Sequence, residues 1–146
     1  MAQRDKAEEE LRKLSLEMRY LEQTAEALQQ RISMVNAAIT DLTYANMTLD
    51  GIEKEKESAE ILVPIGGSAY VKVKLADTSK VIVGMGAGVS IEKTLPEAKT
   101  TLKERLDELE KTMNAAQNQF TQVADRINTG RNRLETLLGN ARAGKS

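Results

Sequence analysis

Cysteine is absent from the 146-residue sequence, so no disulfide can form and nothing points to an oxidising compartment. Histidine is absent as well. Without either residue the usual zinc ligands are missing apart from carboxylates, and no Ser–His or Cys–His triad can be assembled within the chain. Tryptophan is missing and phenylalanine occurs once, leaving 3% aromatic residues. Aromatic side chains bury the most area per residue, so a compact globule would lack its usual filling. Neither charge is in large excess. The net charge is −1, with Lys and Arg spread along the chain, which gives no electrostatic footprint for nucleic acid. Apolar runs such as Val81-Ile82-Val83 are far too short to span a bilayer. The opening residues Met1 to Lys6 are polar and do not read as a signal peptide. The remaining reactive types, Asp, Glu, Lys, Ser, Thr and Tyr, form no recognisable acid–base or phosphate-binding constellation. The expectation is a cytoplasmic, non-enzymatic protein with no cofactor, metal, nucleic-acid or membrane partner.

What the chain does contain is charge, at 29% of residues, with abundant Ala, Glu, Lys, Leu and Arg. That mixture suits long solvated helices with a narrow apolar seam. Leu11, Leu14, Met18, Leu21, Ala25, Leu28, Ile32, Val35, Ile39 and Leu42 follow one another at alternating steps of three and four. A repeat averaging about 3.5 residues keeps one stripe against a partner helix and imposes a left-handed supercoil. The register blurs after Leu42, where Asn46 falls on the seam, and Asp50-Gly51 predicts a helix stop, because glycine accepts the left-handed C′ conformation. A second stripe runs through Leu95, Ala98, Leu102, Leu106, Leu109, Met113, Ala116, Phe120, Val123, Ile127, Gly130, Leu134, Leu137 and Ala141. Thr94-Leu95-Pro96-Glu97 predicts its start as a capping box, with Pro96 in the first turn, where its missing N–H is harmless. Gly130 reads as a weak seam position that loosens the pair toward the C-terminus, and the tail from Gly139 to Ser146 is expected to fray.

Between the stripes the period changes from 3.5 to 2. The charged stretch Ile52 to Glu60 suits a short surface helix or a linker. Ile61-Leu62-Val63-Pro64-Ile65 and Ala69-Tyr70-Val71-Lys72-Val73-Lys74-Leu75 predict two strands around a Gly66-Gly67 turn. Ala69, Val71, Val73 and Leu75 share one face, and Lys72 and Lys74 the other. After a turn at Asp77-Thr78-Ser79, Lys80 to Gly84 and Ala87 to Glu92 predict two more strands, joined or kinked at the glycine run. The expected fold is α+β and mainly α. It is one domain over 1–146, with a helix over 8–50, hairpins over 60–93 and a helix over 94–140. The helices, of about 40 to 45 residues or roughly 60 to 68 Å each, fold back as a long antiparallel two-helix coiled coil with both termini at its free end.

Four short strands with an apolar face cannot bury themselves, because a lone hairpin is marginal in water and open edges invite pairing with another chain. The pattern therefore predicts an obligate oligomer in which hairpins of several subunits complete a β-barrel. The candidate contact residues are Ile61, Val63, Val71, Val73, Leu75, Val81, Val83, Val89 and Ile91. The segments Val63-Pro64-Ile65-Gly66-Gly67 and Lys80-Val81-Ile82-Val83-Gly84-Met85-Gly86-Ala87-Gly88-Val89-Ser90-Ile91-Glu92-Lys93, within about 35 residues of similar wording, resemble the hairpins of prefoldin α-type subunits. The order of helices and strands matches that family along the whole chain.

The resemblance implies a hexamer of two α and four β subunits, with two hairpins in each α subunit and one in each β subunit. It implies a double barrel from which six coiled coils hang, with apolar helix ends that hold unfolded client proteins. Delivery to a group II chaperonin would follow without ATP. The family is archaeal and eukaryotic, and an archaeal source is expected. In an antiparallel pair the candidate client-binding residues are Leu11, Leu14, Leu16 and Met18 at one end and Leu134, Leu137 and Leu138 at the other. Seam packing accounts for Leu11, Leu14, Leu134 and Leu137. Leu16 and Leu138 lie off the seam, where a gripping surface requires apolar groups, and Met18 adds adaptability.

Other readings compete. An oligomeric coiled-coil scaffold or tether would hold one folded partner instead of unfolded chains. Gly84-Met85-Gly86-Ala87-Gly88 after a short apolar run suggests a dinucleotide loop, but Val89 stands where G-x-G-x-x-G needs its third glycine, and the next residues alternate as a strand. A bulge or bend, where glycine relieves crowding, accounts for the run. Lys72 and Lys74 could form a basic docking patch, although solvated charge is the simpler account, as it is for the Glu53 to Glu57 run.

Overall fold

The computed structural model describes residues 2–143. In chain order they form helix α1 (Ala2–Glu53), strands β1 (Glu60–Gly66), β2 (Ala69–Lys74), β3 (Lys80–Gly86) and β4 (Val89–Thr94), and helix α2 (Leu95–Ala143). β1 pairs antiparallel with β2, and β3 with β4, as two separate two-stranded sheets. Two long helices with two hairpins between them are the elements that the change of period predicts. Among the described residues no helix is long and apolar enough to cross a membrane. The chain divides into two compact units, one made by the residues up to Asn36 and from Lys111 on, the other by Ala37–Glu110.

In the first unit the heptad positions do what their spacing requires. Met18, Leu21 and Val35 of α1 and Met113, Ala116 and Gly130 of α2 are buried, and the other seam residues are half-buried except Ala141, which is exposed. The helices run antiparallel, as Met18 meets Gly130 and Arg133 pairs with Glu10 at 2.7 Å. Gly130 is not the weak point that its lack of a side chain suggests. A Cβ there would overlap the sulfur of Met18, so the glycine is the recess into which that methionine packs. α2 stays helical through Gly139 to Ala143, past the expected onset of fraying. Arg142 in the last turn suits the negative end of the helix dipole. Residues 144–146 of the expected tail lie outside the described residues.

The second unit has its own small core. Leu49, Val83, Leu95 and Ala98 are buried together, with Ile52, Val81 and Leu102 against them. This packing corrects the expected helix stop. Gly51 stays helical and α1 continues to Glu53, because Leu49 and Ile52 are held by the core and both Asp50 (2.8 Å) and Glu53 pair with Lys99. Residues 54–59 are a linker rather than another helix. The start of α2 follows the capping-box reading. The Thr94 N–H donates to Glu97 (3.3 Å) and the Glu97 N–H to the Thr94 hydroxyl (3.4 Å). One detail of the second stripe departs from the heptad. Ala98, Leu102 and Leu106 step by four twice, and such an insertion of a four-residue step locally unwinds a supercoil.

The two hairpins close in one manner. Gly67 and Ser68 in the first and Ala87 and Gly88 in the second are all left-handed, with φ of 57°, 60°, 51° and 76°, as a two-residue type I′ turn requires. A glycine with φ of 103° or 94° precedes each turn, and the register slips just before it, leaving Ile65 and Met85 as bulged residues. The glycine run is therefore a bulge and a hairpin turn joining β3 to β4. A dinucleotide loop would open a helix there.

Ala87 holds a backbone conformation that costs an L-residue about 1–2 kcal/mol. Ala87→Asn is expected to raise stability by roughly 0.5–1 kcal/mol, and Gly86→Ala to lower it by about 1–3 kcal/mol, both read by denaturant unfolding. A loss with Ala87→Asn would contradict the turn assignment. The ion pair predicts a pH effect. Lys99 and, to a lesser degree, Lys54 hold the Asp50 carboxyl below its ordinary 3.8, while Asp50 and Glu53 hold Lys99 above its ordinary 10.5. The stability from Asp50 is fully present above the first value and lost as the pH falls through its lower folded pKa. That from Lys99 is present below the second value and lost as the pH rises through its higher one. The difference in Tm between the wild type and Asp50→Asn is expected to be flat from roughly pH 5 to 9 and to shrink at both extremes. A difference that persists in strong acid would assign the effect to packing.

Candidate functional site

Two surfaces carry more exposed apolar area than folding needs. The first is the pair of hairpins. In β1–β2 the cross-strand pairs Ile61–Val73 and Val63–Val71 lie on one face, and Leu62–Lys72 and Pro64–Tyr70 on the other. The lysines are exposed as expected, but their face is not purely polar, since Leu62 and Tyr70 are exposed beside them. Ile61, Val73 and Leu75 are half-buried, while Val63 and Val71 are open. In β3–β4 the face expected to meet other subunits is divided. Val83 is only 6% exposed and packs into the core of its own chain, with Val81 at its edge, whereas Val89 and Ile91 remain in water. Ile65, Ile82 and Met85 are exposed as well. They and Leu62 escape a reading that follows only one strand face. A count of the alternate positions and of the residues before each glycine turn would have marked them.

The second surface lies along the helices in the first unit; because α1 starts at Ala2 and not at residue 8, Leu16 and Tyr20 stand well inside the helix. Counting outward from Met18 and Gly130 in opposite directions brings Leu14 level with Leu134, and Leu11 level with Leu137. All four are half-buried, as seam residues should be. Leu16 and Leu138 are 61% and 42% exposed. Tyr20, four residues after Leu16 and on the same side of α1, is 68% exposed. It joins Leu16 in an apolar strip that the seam pattern does not mark, although its i, i+4 spacing does. Beside the strip's helix, Leu14, Glu17, Met18 and Leu21 of α1 and Asp125, Arg126, Thr129, Gly130 and Arg133 of α2 line a groove of about 360 Å³. Gly130 forms part of its wall, and the Arg133–Glu10 pair lies at one end. The groove and strip can receive apolar side chains of varied shape, with mixed charges at the rim. They hold no arrangement of acid, base and nucleophile.

Nothing catalytic is assembled elsewhere among the described residues. They contain no cluster of three or more Asp or Glu that could hold a metal, and no buried polar side-chain atom lacks a hydrogen bond. The shifted groups are structural: exposed Asp50 and half-buried Lys99 join the helices, and Asp77, held below its ordinary range by the hydroxyl and N–H of Ser79, closes the turn before β3 (2.6 and 2.7 Å).

Comparison with known proteins fits this arrangement. The family model for prefoldin subunits matches residues 21–139. Prefoldin subunit alpha of Methanococcoides burtonii is 34% identical over 134 residues, covering 92% of this chain and 94% of the relative. That of Pyrococcus horikoshii is 34% identical, covering 87% and 84%. Among solved structures, the filamentous PFD of Methanocaldococcus jannaschii is similar over 76% of this chain and 92% of its own, with a TM-score of 0.65 at 24% identity. The prefoldin beta subunit of Thermococcus strain KS-1 is similar over 87% and 90%, with a TM-score of 0.59 at 16% identity. At those identities the two structures support the fold alone.

The Met18–Gly130 contact yields a prediction. Gly130→Val fills the recess and is expected to destabilise the helix pair by about 1–3 kcal/mol. Combination with Met18→Ala should recover part of that loss, because the two side chains compete for one space. Additive effects in denaturant unfolding would show that they do not share it.

Proposed function

This chain belongs to the prefoldin family, a family of chaperone subunits, and from that premise we propose that it is an α-type subunit of an ATP-independent holdase. Its hairpins pair with those of β subunits and of a second α subunit, completing a β-barrel in an α2β4 hexamer. The helix ends grip unfolded chains in the cytoplasm and release them to a group II chaperonin. Unfolded chains share apolar segments but no common shape, so a binding surface for them must be apolar, adaptable and tolerant of register. Leu16, Tyr20 and Leu138 meet the first requirement. The neighbouring groove, with the polarizable Met18 buried in its wall against Gly130, meets the second. Leu11, Leu14, Leu134 and Leu137 add to the surface when the helix ends splay. No bond is made or broken, so the absence of a catalytic constellation is no obstacle.

The observation that carries this reading is the exposure of Leu16, Tyr20 and Leu138, apolar side chains kept in water where the seam has no use for them. Lone exposed leucines are common. Leu16 and Tyr20 share one side of α1, and Leu138 in the last two turns of α2 adds a third exposed apolar group. The test is aggregation of a denatured model protein in the presence of the chain assembled with its β partner, without ATP. Suppression is expected near stoichiometric complex and should be lost when both helix ends are removed. The triple variant Leu16→Ser, Tyr20→Ser, Leu138→Ser should weaken holding several-fold while changing stability by no more than about 0.5 kcal/mol per site. Unchanged holding by the triple variant would remove these residues from the site. No suppression by a correctly assembled complex would favour a tether that holds a folded partner.

A further inference from the structure

The two hairpins share one turn design but are held in different ways. β3–β4 is fastened to the helices at three points. Val83 is buried against Leu49, Leu95 and Ala98. Arg105 of α2 donates from Nη2 to the carbonyl of Gly84 (2.7 Å) and lies 3.7 Å from the sulfur of Met85, so it grips the bulge from outside. Lys93 donates to the Thr101 hydroxyl (3.1 Å), while the bond from the Leu95 N–H to the Ser79 carbonyl (2.9 Å) only continues the β3–β4 ladder by one rung. In β1–β2 no residue is buried. The bonds at its base, Ser58 N–H to the Leu75 carbonyl and Leu75 N–H to the Ala59 carbonyl, only lengthen its own ladder. A two-stranded ribbon in that condition is marginal in water, and segments with few buried contacts and exposed backbone hydrogen bonds open at low cost.

We propose that the hairpins enter the assembly in order, with Arg105 as the positioning residue that sets it. β3–β4, clamped at its bulge, is a preformed strand pair that another subunit's strands meet first. β1–β2 becomes stable only when the hairpin of another prefoldin-type subunit closes over it. The occupant is a β-strand because what the open edges offer is a row of backbone donors and acceptors, which a strand satisfies in full. The apolar residues on both faces of β1–β2 require cover from more than its own chain. This inference rests on hairpin-mediated assembly and adds an order and a residue to it.

Hydrogen exchange read by mass spectrometry tests it, on the full chain diluted to monomer and on the complex with its β partner. In the monomer the amides of 80–94 are expected to exchange at least about tenfold more slowly than those of 60–74, and in the complex both should be protected. Arg105→Gln should cut the protection of 80–94 in the monomer about tenfold, the scale of one hydrogen bond to a charged group. It should slow assembly by a similar factor and leave exchange in the helices unchanged. A purely structural role for Arg105 would loosen the helices as well. Equal protection of the two hairpins in the monomer, or an Arg105→Gln chain that assembles at the wild-type rate, would overturn the order while leaving assembly itself standing. Failure to form any complex would overturn assembly, and the order with it.

Discussion

Two helices can bury between them only a seam about one side chain wide, and everything else in this chain follows from that limit. Nine apolar residues are buried among those described, few enough that no third layer can rest on a general core. Each buried residue therefore depends on its counterpart across the seam. Met18 needs the absence of a side chain at Gly130, and Leu49 needs Ala98 and Val83. Where the heptad is regular the pair needs nothing further. Where it falters, from Asn46 to Glu53, the missing seam contact is replaced by a hairpin valine and by the paired carboxylates on Lys99.

The same limit explains the open hairpins. Their strands are rich in β-branched residues and fold into good turns, but the seam has no width left to cover them, and only Val83 is admitted to the core. In a monomeric protein such apolar two-faced ribbons would be an aggregation hazard. The chain belongs to a family of subunits, and open edges of this kind are ones that pair with another chain; two-residue left-handed turns at Gly67-Ser68 and Ala87-Gly88 close both ribbons.

Much of this was legible from periodicity, because period is a local property. The steps of three and four along α1 gave the buried stripe nearly residue by residue, and the shift to alternation placed all four strands. The Thr94–Glu97 box marked the start of α2. What was not legible depended on partners distant in the chain. Gly51 carries the local signal of a helix end, yet Leu49, Ile52 and Lys99 hold the helix beyond it. Gly130 carries the signal of a weak seam, yet Met18 supplies the missing volume. Alternation groups Val83 with the outward-facing valines, because it tells which residues share a face and not what that face meets. Tyr20 and Leu62 escape for a related reason: they lie off the stripe that periodicity marks, and both are exposed.

Residues off the seam obey a different rule from those on it. A change at Met18 or Ala98 alters packing and is paid for in stability, typically by a few kcal/mol for a lost core side chain. A change at Leu16, Tyr20 or Leu138 alters only what is offered to the solvent, a matter of about 0.5 kcal/mol or less. The apolar surface along the helices can thus be enlarged, reduced or reshaped without disturbing the helix pair that presents it. A compact protein must usually take its binding groups from the margin of its core, where affinity and stability are coupled. A helix pair with a narrow seam keeps them separate, so its exposed apolar surface can vary while the seam remains firm.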